Sequence, residues 1–290
     1  MPRTPPSGRV VAIGLVLAAS VSTQFGSAVA ALIFPRVGAG GAITLRLSCA
    51  AVILLAVLRP RVRGRSRADW LAVVALGTSL AVMNTTFYHS IARLPIGVAV
   101  TFEVLGPLAL SVVTRRRASS VLWALLALAG VATLGGGDFS DLDIAGVVLA
   151  LVAGAAWAAY ILLSADVGRR FARADGLSLA MAVAALLTLV PGILDGGSEL
   201  LVPSVLGVGV LVAVLSSALP YSLEMAALRR IPPGVFAVMM SLAPVIATLA
   251  GFVVLGQALA PAELGGIALV VVATAGALRA SRPAGPGLRD

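Results

Sequence analysis

Apolar residues fill this chain in long, nearly unbroken runs, at about 10–33, 40–58, 70–92, 95–114, 118–136, 144–164, 177–194, 203–228, 234–255 and 262–280. Each run is apolar all round rather than on one face. Each is long enough to cover a hydrocarbon layer of roughly 30 Å as a helix rising about 1.5 Å per residue. Strands of a barrel would instead alternate over segments of about ten residues. The pattern predicts an all-α polytopic membrane protein with ten transmembrane helices. The breaks between runs are short and carry turn or charge signals, RPRVRGRSRAD at 59–69, RRR at 115–117, GGGDFSDLD at 135–143 and PGILDGGSELLVP at 191–203. None leaves room for a soluble domain. The first run follows Arg3 and Arg9 and ends near AVAA at 28–31, but it exceeds the roughly 7 to 15 residues of a signal peptide's apolar core. It is expected to be helix one.

Composition agrees with the pattern: 60% of the 290 residues are hydrophobic, 11% are charged, and mean hydropathy is +1.07. A soluble domain carries roughly 25% charged residues. A net charge of +9 in a soluble protein would suggest nucleic acid, but all 21 basic residues are arginine and their placement has another cause. With the N-terminus inside, Arg3 and Arg9, the arginines of 59–67, Arg115 to Arg117, Arg169, Arg170, Arg173, Arg229, Arg230, Arg279, Arg282 and Arg289 all fall on the inner side. Asp138, Asp141, Asp143, Asp195, Glu199 and Glu263 fall on the outer side. The bias predicts both termini inside, in a bacterial cytoplasmic membrane, and no nucleic-acid partner. The single cysteine, Cys49, allows no intrachain disulfide.

The chain also resembles itself. ARLPIGVAVTFEVLGPLAL at 92–110 falls on RRIPPGVFAVMMSLAPVIA at 229–247 at a constant offset of 137, so that Pro95, Gly97, Leu105 and Pro107 meet Pro232, Gly234, Leu242 and Pro244. Five helices are repeated, and because five is odd the second copy crosses the membrane in the opposite sense. The expected plan is a single transmembrane domain over 1–290 built of two inverted-topology five-helix repeats, 10–136 and 144–280. Secondary transporters use this plan with a site near the midplane between the halves. Duplication that only built a bundle is the plainer reading.

Polar residues inside the spans are the candidate chemistry. Glu103, in VTFEVLGPLALSV at 100–112, lies near the midplane of helix four. A carboxylate there costs at least about 2.5 kcal/mol to bury, and such groups usually face the bundle interior or a wet cavity. Pairing of helices is the plainer use for it. Pro107 cannot donate to the carbonyl of Glu103, so the backbone is expected to open beside the charge, and Gly106 admits a close neighbour. Pro244 stands in the same relation to Met240, which replaces the glutamate in the second copy. Glu224 shares a helical face with Ser217, Pro220 and Tyr221, and Pro220 frees the carbonyl of Ser216. Five residues before Arg229, Glu224 is equally suited to function and to pairing or snorkelling at the inner rim.

Arg46, in the outer half of helix two, has three expected uses: pairing with Glu103, holding a substrate carboxylate, or snorkelling outward. Asn84 and Tyr88 share a face of helix three, as do Ser20, Gln24 and Ser27 on helix one, either as packing contacts or as ligand groups. Trp157 and Tyr160 offer an aromatic wall on helix six, beside a packing stripe of Gly146, Ala150, Gly154 and Ala158. Gln24, Asn84, Tyr88, Trp157, Tyr160 and Tyr221 are the substrate-binding candidates. One histidine, His89, makes no metal cluster or triad, and no cofactor is expected.

FEVLGPL at 102–108, SSALPYSLEMAALRRIP at 216–232 and MSLAPVIATLAGFVVLGQALAP at 240–261 carry a resemblance over nearly the whole chain. The chain is similar to the EamA family of the drug/metabolite transporter superfamily, and more narrowly to its inner-membrane threonine and homoserine exporter branch. The resemblance implies proton-driven export of small metabolites by alternating access. Glu103 matches the family's helix-four glutamate before Gly-Pro, Glu224 its Pro-Tyr-Ser-Leu-Glu stretch, and Arg46 its helix-two arginine. Gln257 stands where relatives often carry a glutamate. The expected function is a proton-coupled exporter of amino acids or similar small polar metabolites, not an enzyme, with substrate, proton gradient and bilayer as partners; a homodimer is compatible with it. Two alternatives stay open: other substrates such as drugs or sugar phosphates on the same fold, and a non-transporting scaffold or receptor. Arg46 is the only cation within the spans, which weighs against phosphate readers, and the short loops offer a scaffold little surface.

Overall fold

Apolar runs without water to hydrogen-bond their backbone must satisfy it internally, and the chain does so as helix. The structure is a computed structural model that describes residues 6–115, 143–240 and 242–257, with scattered positions between 122 and 133 and between 265 and 273. Among the described residues all regular structure is helical. The helices are α1 (Pro6–Ala31), α2 (Phe34–Leu58), α3 (Arg67–Ile91), α4 (Ile96–Glu103), α5 (Leu105–Arg115), α6 (Ile144–Arg170) and α7 (Asp175–Gly196). After a 3-10 turn at Gly197–Leu201 come α8 (Pro203–Ala213), a π-helical turn at Val214–Ala218, α9 (Leu219–Leu228), α10 (Pro233–Met240) and α11 (Ala243–Leu255).

Among the described residues seven helical stretches are long and apolar enough to cross a bilayer, and the protein is a multi-pass membrane protein. Three of them are composite: α7 with the 3-10 turn forms one, α8, the π turn and α9 another, and α10 with α11 the third. The expected fourth span is a shorter apolar stretch, Ile96–Leu110, divided at Val104. The expected fifth and tenth spans fall largely outside the described residues, and so do Asp138 and Asp141.

Local chemistry sets the helix ends. Ser66 and Asp69 form a reciprocal capping box at the start of α3, each side chain accepting the other's backbone N–H at 3.1 Å. Asp143 caps α6 by accepting from Gly146 N at 3.1 Å. The breaks after Glu103 and Met240 each lie just before a proline, Pro107 and Pro244, whose missing N–H ends the ladder there.

Small residues let the helices approach closely. α2 packs along α7, where a Cβ on Gly192 would overlap Thr44, and Thr44 Oγ1 donates to the Thr188 carbonyl at 2.6 Å. Gly38 breaks α2 with φ 66°, and the Asp195 carboxylate sits against it, accepting Gly40 N–H at 2.8 Å. The expected stripe on α6 serves packing: Gly146 lies against Leu94, Gly154 against the Glu103 carbonyl, and Gly106 against the Gly154 carbonyl. α3 packs on α6 and α7, and α1 on α9 and α11. α4 packs on α11 while α5 packs on α10, so the two broken helices cross antiparallel at their breaks.

Candidate functional site

The helices converge on a narrow cavity of about 40 Å³. α1 contributes Ser20, Thr23, Gln24 and Ser27, which fall on one helical face at i, i+3, i+4 and i+7. α3 contributes Met83, Asn84 and Phe87. Arg46 and Trp157 enter from α2 and α6, and Tyr221 and Glu224 from α9. The two helix breaks complete the lining with Glu103 on one side and Met240 and Ala243 on the other. A larger groove of about 380 Å³ between α2, α3 and α7 includes His89 but has an almost wholly apolar wall, which suits no polar solute.

Arg46 is 1% exposed. Its Nε donates to Ser217 Oγ at 2.8 Å, Nη1 to Tyr88 OH at 3.0 Å, and Nη2 both to Tyr221 OH at 3.2 Å and to the Ser216 carbonyl. That carbonyl is the one Pro220 leaves without a helical donor, so the gap in the π turn becomes the seat of the guanidinium. The Tyr88 ring adds a cation–π face with Cζ 5.2 Å from its centroid. Tyr221 passes the network on by donating to Asn84 Oδ1 at 3.1 Å, and Asn84 Nδ2 donates to the Leu80 carbonyl at 2.7 Å.

Of the three uses expected of Arg46, outward snorkelling is ruled out by burial, and no ion pair joins it to Glu103 among the described residues. All four of its partners are neutral. A buried cation is costly without a counter-charge, and the acids that share its cavity are Glu103 and Glu224.

Glu103 ends α4 and is 7% exposed. Among the described residues nothing donates a hydrogen bond to its carboxylate, which lines the cavity beside Gln24 and Trp157. Glu224 is 4% exposed and accepts from Tyr160 OH at 2.8 Å. The expected alternative of pairing with Arg229 does not occur. Arg229 donates instead to the carbonyls of Gly168 at 3.1 Å, Phe171 at 3.0 Å, and Arg173, tying α9 to the end of α6.

Nine of the residues singled out from the sequence therefore share one cavity: Ser20, Gln24, Ser27, Arg46, Asn84, Glu103, Trp157, Tyr221 and Glu224. Tyr88 and Tyr160 do not line it; each stands one layer behind, against Arg46 and Glu224. Pro107, Pro220 and Pro244 are buried at the breaks and the π turn. Sequence reasoning missed Thr23, Met83, Phe87, Met240 and Ala243 as wall residues. Thr23 was legible from its register with Ser20 and Ser27. The apolar members carry no signal of their own.

This arrangement has relatives. The chain is 39% identical over 266 residues to "Threonine/homoserine exporter RhtA" of Escherichia coli (strain K12), covering 91% of this chain and 90% of that protein. The protein of the same name from Salmonella typhimurium (strain LT2) is 38% identical over 264 residues, covering 90% and 89%. The model of the EamA-like transporter family matches residues 144–279. The chain belongs to the EamA family. A protein of Bacillus subtilis (strain 168), "Uncharacterized transporter YwfM", is 32% identical over 217 residues, 70% of this chain and 71% of that one. A crystal structure at 20% identity superposes with a TM-score of 0.72 over 97% of this EamA chain and 99% of its own, so the fold is shared with a solved protein.

Proposed function

We propose that this protein is a proton-coupled exporter of amino acids of the threonine and homoserine class, working by alternating access in a bacterial cytoplasmic membrane with both termini inside. The observation that carries the reading is the buried cavity holding Glu103, Glu224 and Arg46 where the two broken helices cross. The names printed for the relatives from Escherichia coli and Salmonella typhimurium supply the substrate class.

Ten helices in two inverted repeats are part of this proposal, and several contacts support it. The pairs α3–α6 and α1–α9 exchange under the offset of 137, and α2 packs on its counterpart α7. Tyr221 donates to Asn84, which lies 137 positions before it. Equivalent residues related by a twofold meet only on the axis, so this bond marks where the axis would pass.

A zwitterionic amino acid needs an anion for its ammonium group and a cation or N–H groups for its carboxylate. Glu103, without a hydrogen-bond donor among the described residues, is suited to the ammonium. Arg46 spends four of its five N–H groups on the protein and keeps one for the carboxylate. A carboxylate that carries a proton cannot hold an ammonium as its counter-ion. Competition for Glu103 therefore links outward movement of substrate to inward movement of a proton. A cavity of about 40 Å³ holds only a few water molecules, so the walls must part at the breaks to admit substrate.

Purified protein in liposomes loaded with radiolabelled threonine tests the reading. The wild type is expected to release threonine faster when a pH gradient is imposed. Glu103→Gln keeps the shape and loses the charge, and its efflux is expected to fall and to ignore the gradient. Wild-type rates in that variant with full gradient dependence would overturn the proposed role.

A further inference from the structure

The face of α1 that enters the cavity is unusual in its hydrogen bonding. Ser20 Oγ, Thr23 Oγ1, Gln24 Oε1 and Ser27 Oγ are all buried, and among the described residues none of them has a hydrogen-bond partner. Ser20, Gln24 and Ser27 are among the most enclosed polar side chains of the molecule, at 5%, 4% and 0% exposure. Buried polar atoms are normally satisfied, and each one left bare costs about 1–3 kcal/mol. Hydroxyls that only glue helices behave differently here: Ser22, Ser79, Ser90 and Thr44 each donate to a carbonyl of another helix or its π turn. Of the five buried side-chain oxygens without a hydrogen-bond partner among the described residues, these four belong to residues that line the same cavity at successive steps of one helix face, while the fifth, Ser164 Oγ on α6, does not line it.

We infer that this face of α1 is the specificity surface, and that it reads the side-chain hydroxyl of the transported amino acid. The inference rests on the export reading above and assigns the α1 groups a task that neither acid nor Arg46 performs. The charged groups suit the ammonium and carboxylate that every amino acid carries, so they cannot distinguish one side chain from another. Hydroxyl and amide groups can, because each both donates and accepts and so matches a substrate O–H in either sense. The face also explains how one site could serve two lengths of side chain. From Ser20 to Ser27 it extends about 10 Å along the helix, so a hydroxyl on either the β- or the γ-carbon finds a partner.

The physical consequence is a preference for a hydroxyl over a methyl group of the same size. An apolar pocket discriminates weakly against an added hydroxyl, whereas a site built to bond one rejects the analogue that lacks it, because its own polar groups then stay bare. Threonine and valine form one such pair, and homoserine and norvaline another.

The test is competition in liposomes containing the full chain. Unlabelled threonine, valine, homoserine and norvaline compete against radiolabelled threonine, and the ratio of half-inhibiting concentrations, valine to threonine, is read for each variant. The wild type is expected to favour threonine at least about tenfold. Gln24→Leu and Ser27→Ala are expected to bring the ratio close to one, with the homoserine to norvaline ratio falling in parallel. Glu103→Gln is expected to weaken threonine and valine together and leave the ratio unchanged. The ratio comes from a single preparation, so a lower yield of folded variant cancels, and the isosteric Thr23→Val serves where a larger change fails to fold. An unchanged ratio in all the α1 variants overturns this inference while leaving export intact. Failure of the wild type to carry threonine at all overturns the export reading and this inference with it.

Discussion

Arg46 is held by a different kind of contact from the one its charge suggests. Two tyrosines, one serine hydroxyl and one proline-freed carbonyl hold the guanidinium, and the planar fork meets all four at once. Arg46→Lys keeps the charge but can satisfy at most three of these with a single nitrogen, from a different position. It is expected to cost about 1.5–3 kcal/mol, as the loss of one hydrogen bond from a charged donor would, and to abolish threonine efflux. The melting temperature of the variant in detergent reports the first effect and liposome flux the second. Tyr160 donates its hydroxyl to Glu224 from behind the cavity wall. Removing its hydroxyl in Tyr160→Phe deletes one bond to a buried carboxylate and is expected to slow efflux about tenfold and to cost about 1–3 kcal/mol of stability, read as a lower melting temperature in detergent.

The elements that matter most at the next scale are the interrupted ones. Glu103 stands where α4 stops, and the break is fitted against α6 by Gly106 and Gly154, whose Cβ positions are occupied by backbone of the opposite helix. Gly154→Val therefore drives a side chain into the Glu103 carbonyl, and a loss of about 1–3 kcal/mol is expected together with loss of flux. Pro220→Ala restores an N–H that competes with Arg46 for the Ser216 carbonyl. Efflux is expected to fall several-fold while the melting temperature holds or rises. A variant that melts earlier and transports normally would contradict that account. At the start of α6, the Gly146 amide and then the Arg93 guanidinium hold the Asp143 carboxyl below the usual carboxylate range. Its contribution to stability is thus present above the unfolded-state value of about 3.9 and is lost as the pH falls through the lower folded value. The difference in melting temperature between the wild type and Asp143→Asn should shrink on acidification through that window.

For the whole molecule, the two halves are interleaved rather than set side by side. α1 packs on α9 and α11, α2 on α7, and α3 on α6 and α7, so each half lends the other its partners. A fragment beginning at residue 144 is expected to be degraded when expressed alone and to be rescued by co-expression of 1–143, as measured by its level in membranes. The arginine bias makes a separate prediction about orientation. Fusion of a cytoplasmically fluorescent protein to the C-terminus should glow, whereas a periplasmically active phosphatase at the same point should stay silent.

The membrane-spanning character, the helical form of the apolar runs that the structure describes and the polar inventory were legible in the chain because each follows from local facts. Long apolar runs have one stable form in lipid, a proline removes one known N–H, and an ionisable residue among apolar neighbours stands out at any position. Glu103, Pro107 and Pro220 were therefore identifiable as residues, and the carbonyl that each proline frees could be named in advance. What lay beyond the sequence was partnership. Arg46 and the Ser216 carbonyl are 170 positions apart, and only the packing of α2 against the π turn brings them together. The same holds for Glu224, whose neighbour in sequence is Arg229 but whose partner in space is Tyr160. Which polar groups go without a partner was likewise decided by tertiary structure: on the same helix, Ser22 donates to the Leu215 carbonyl while Ser27 Oγ has no partner among the described residues. Sequence alone determined which chemistry this protein has, because insertion into a bilayer depends on composition along the chain. Tertiary structure decided which of those groups are spent on the fold and which face the cavity, because that depends on the distances between helices.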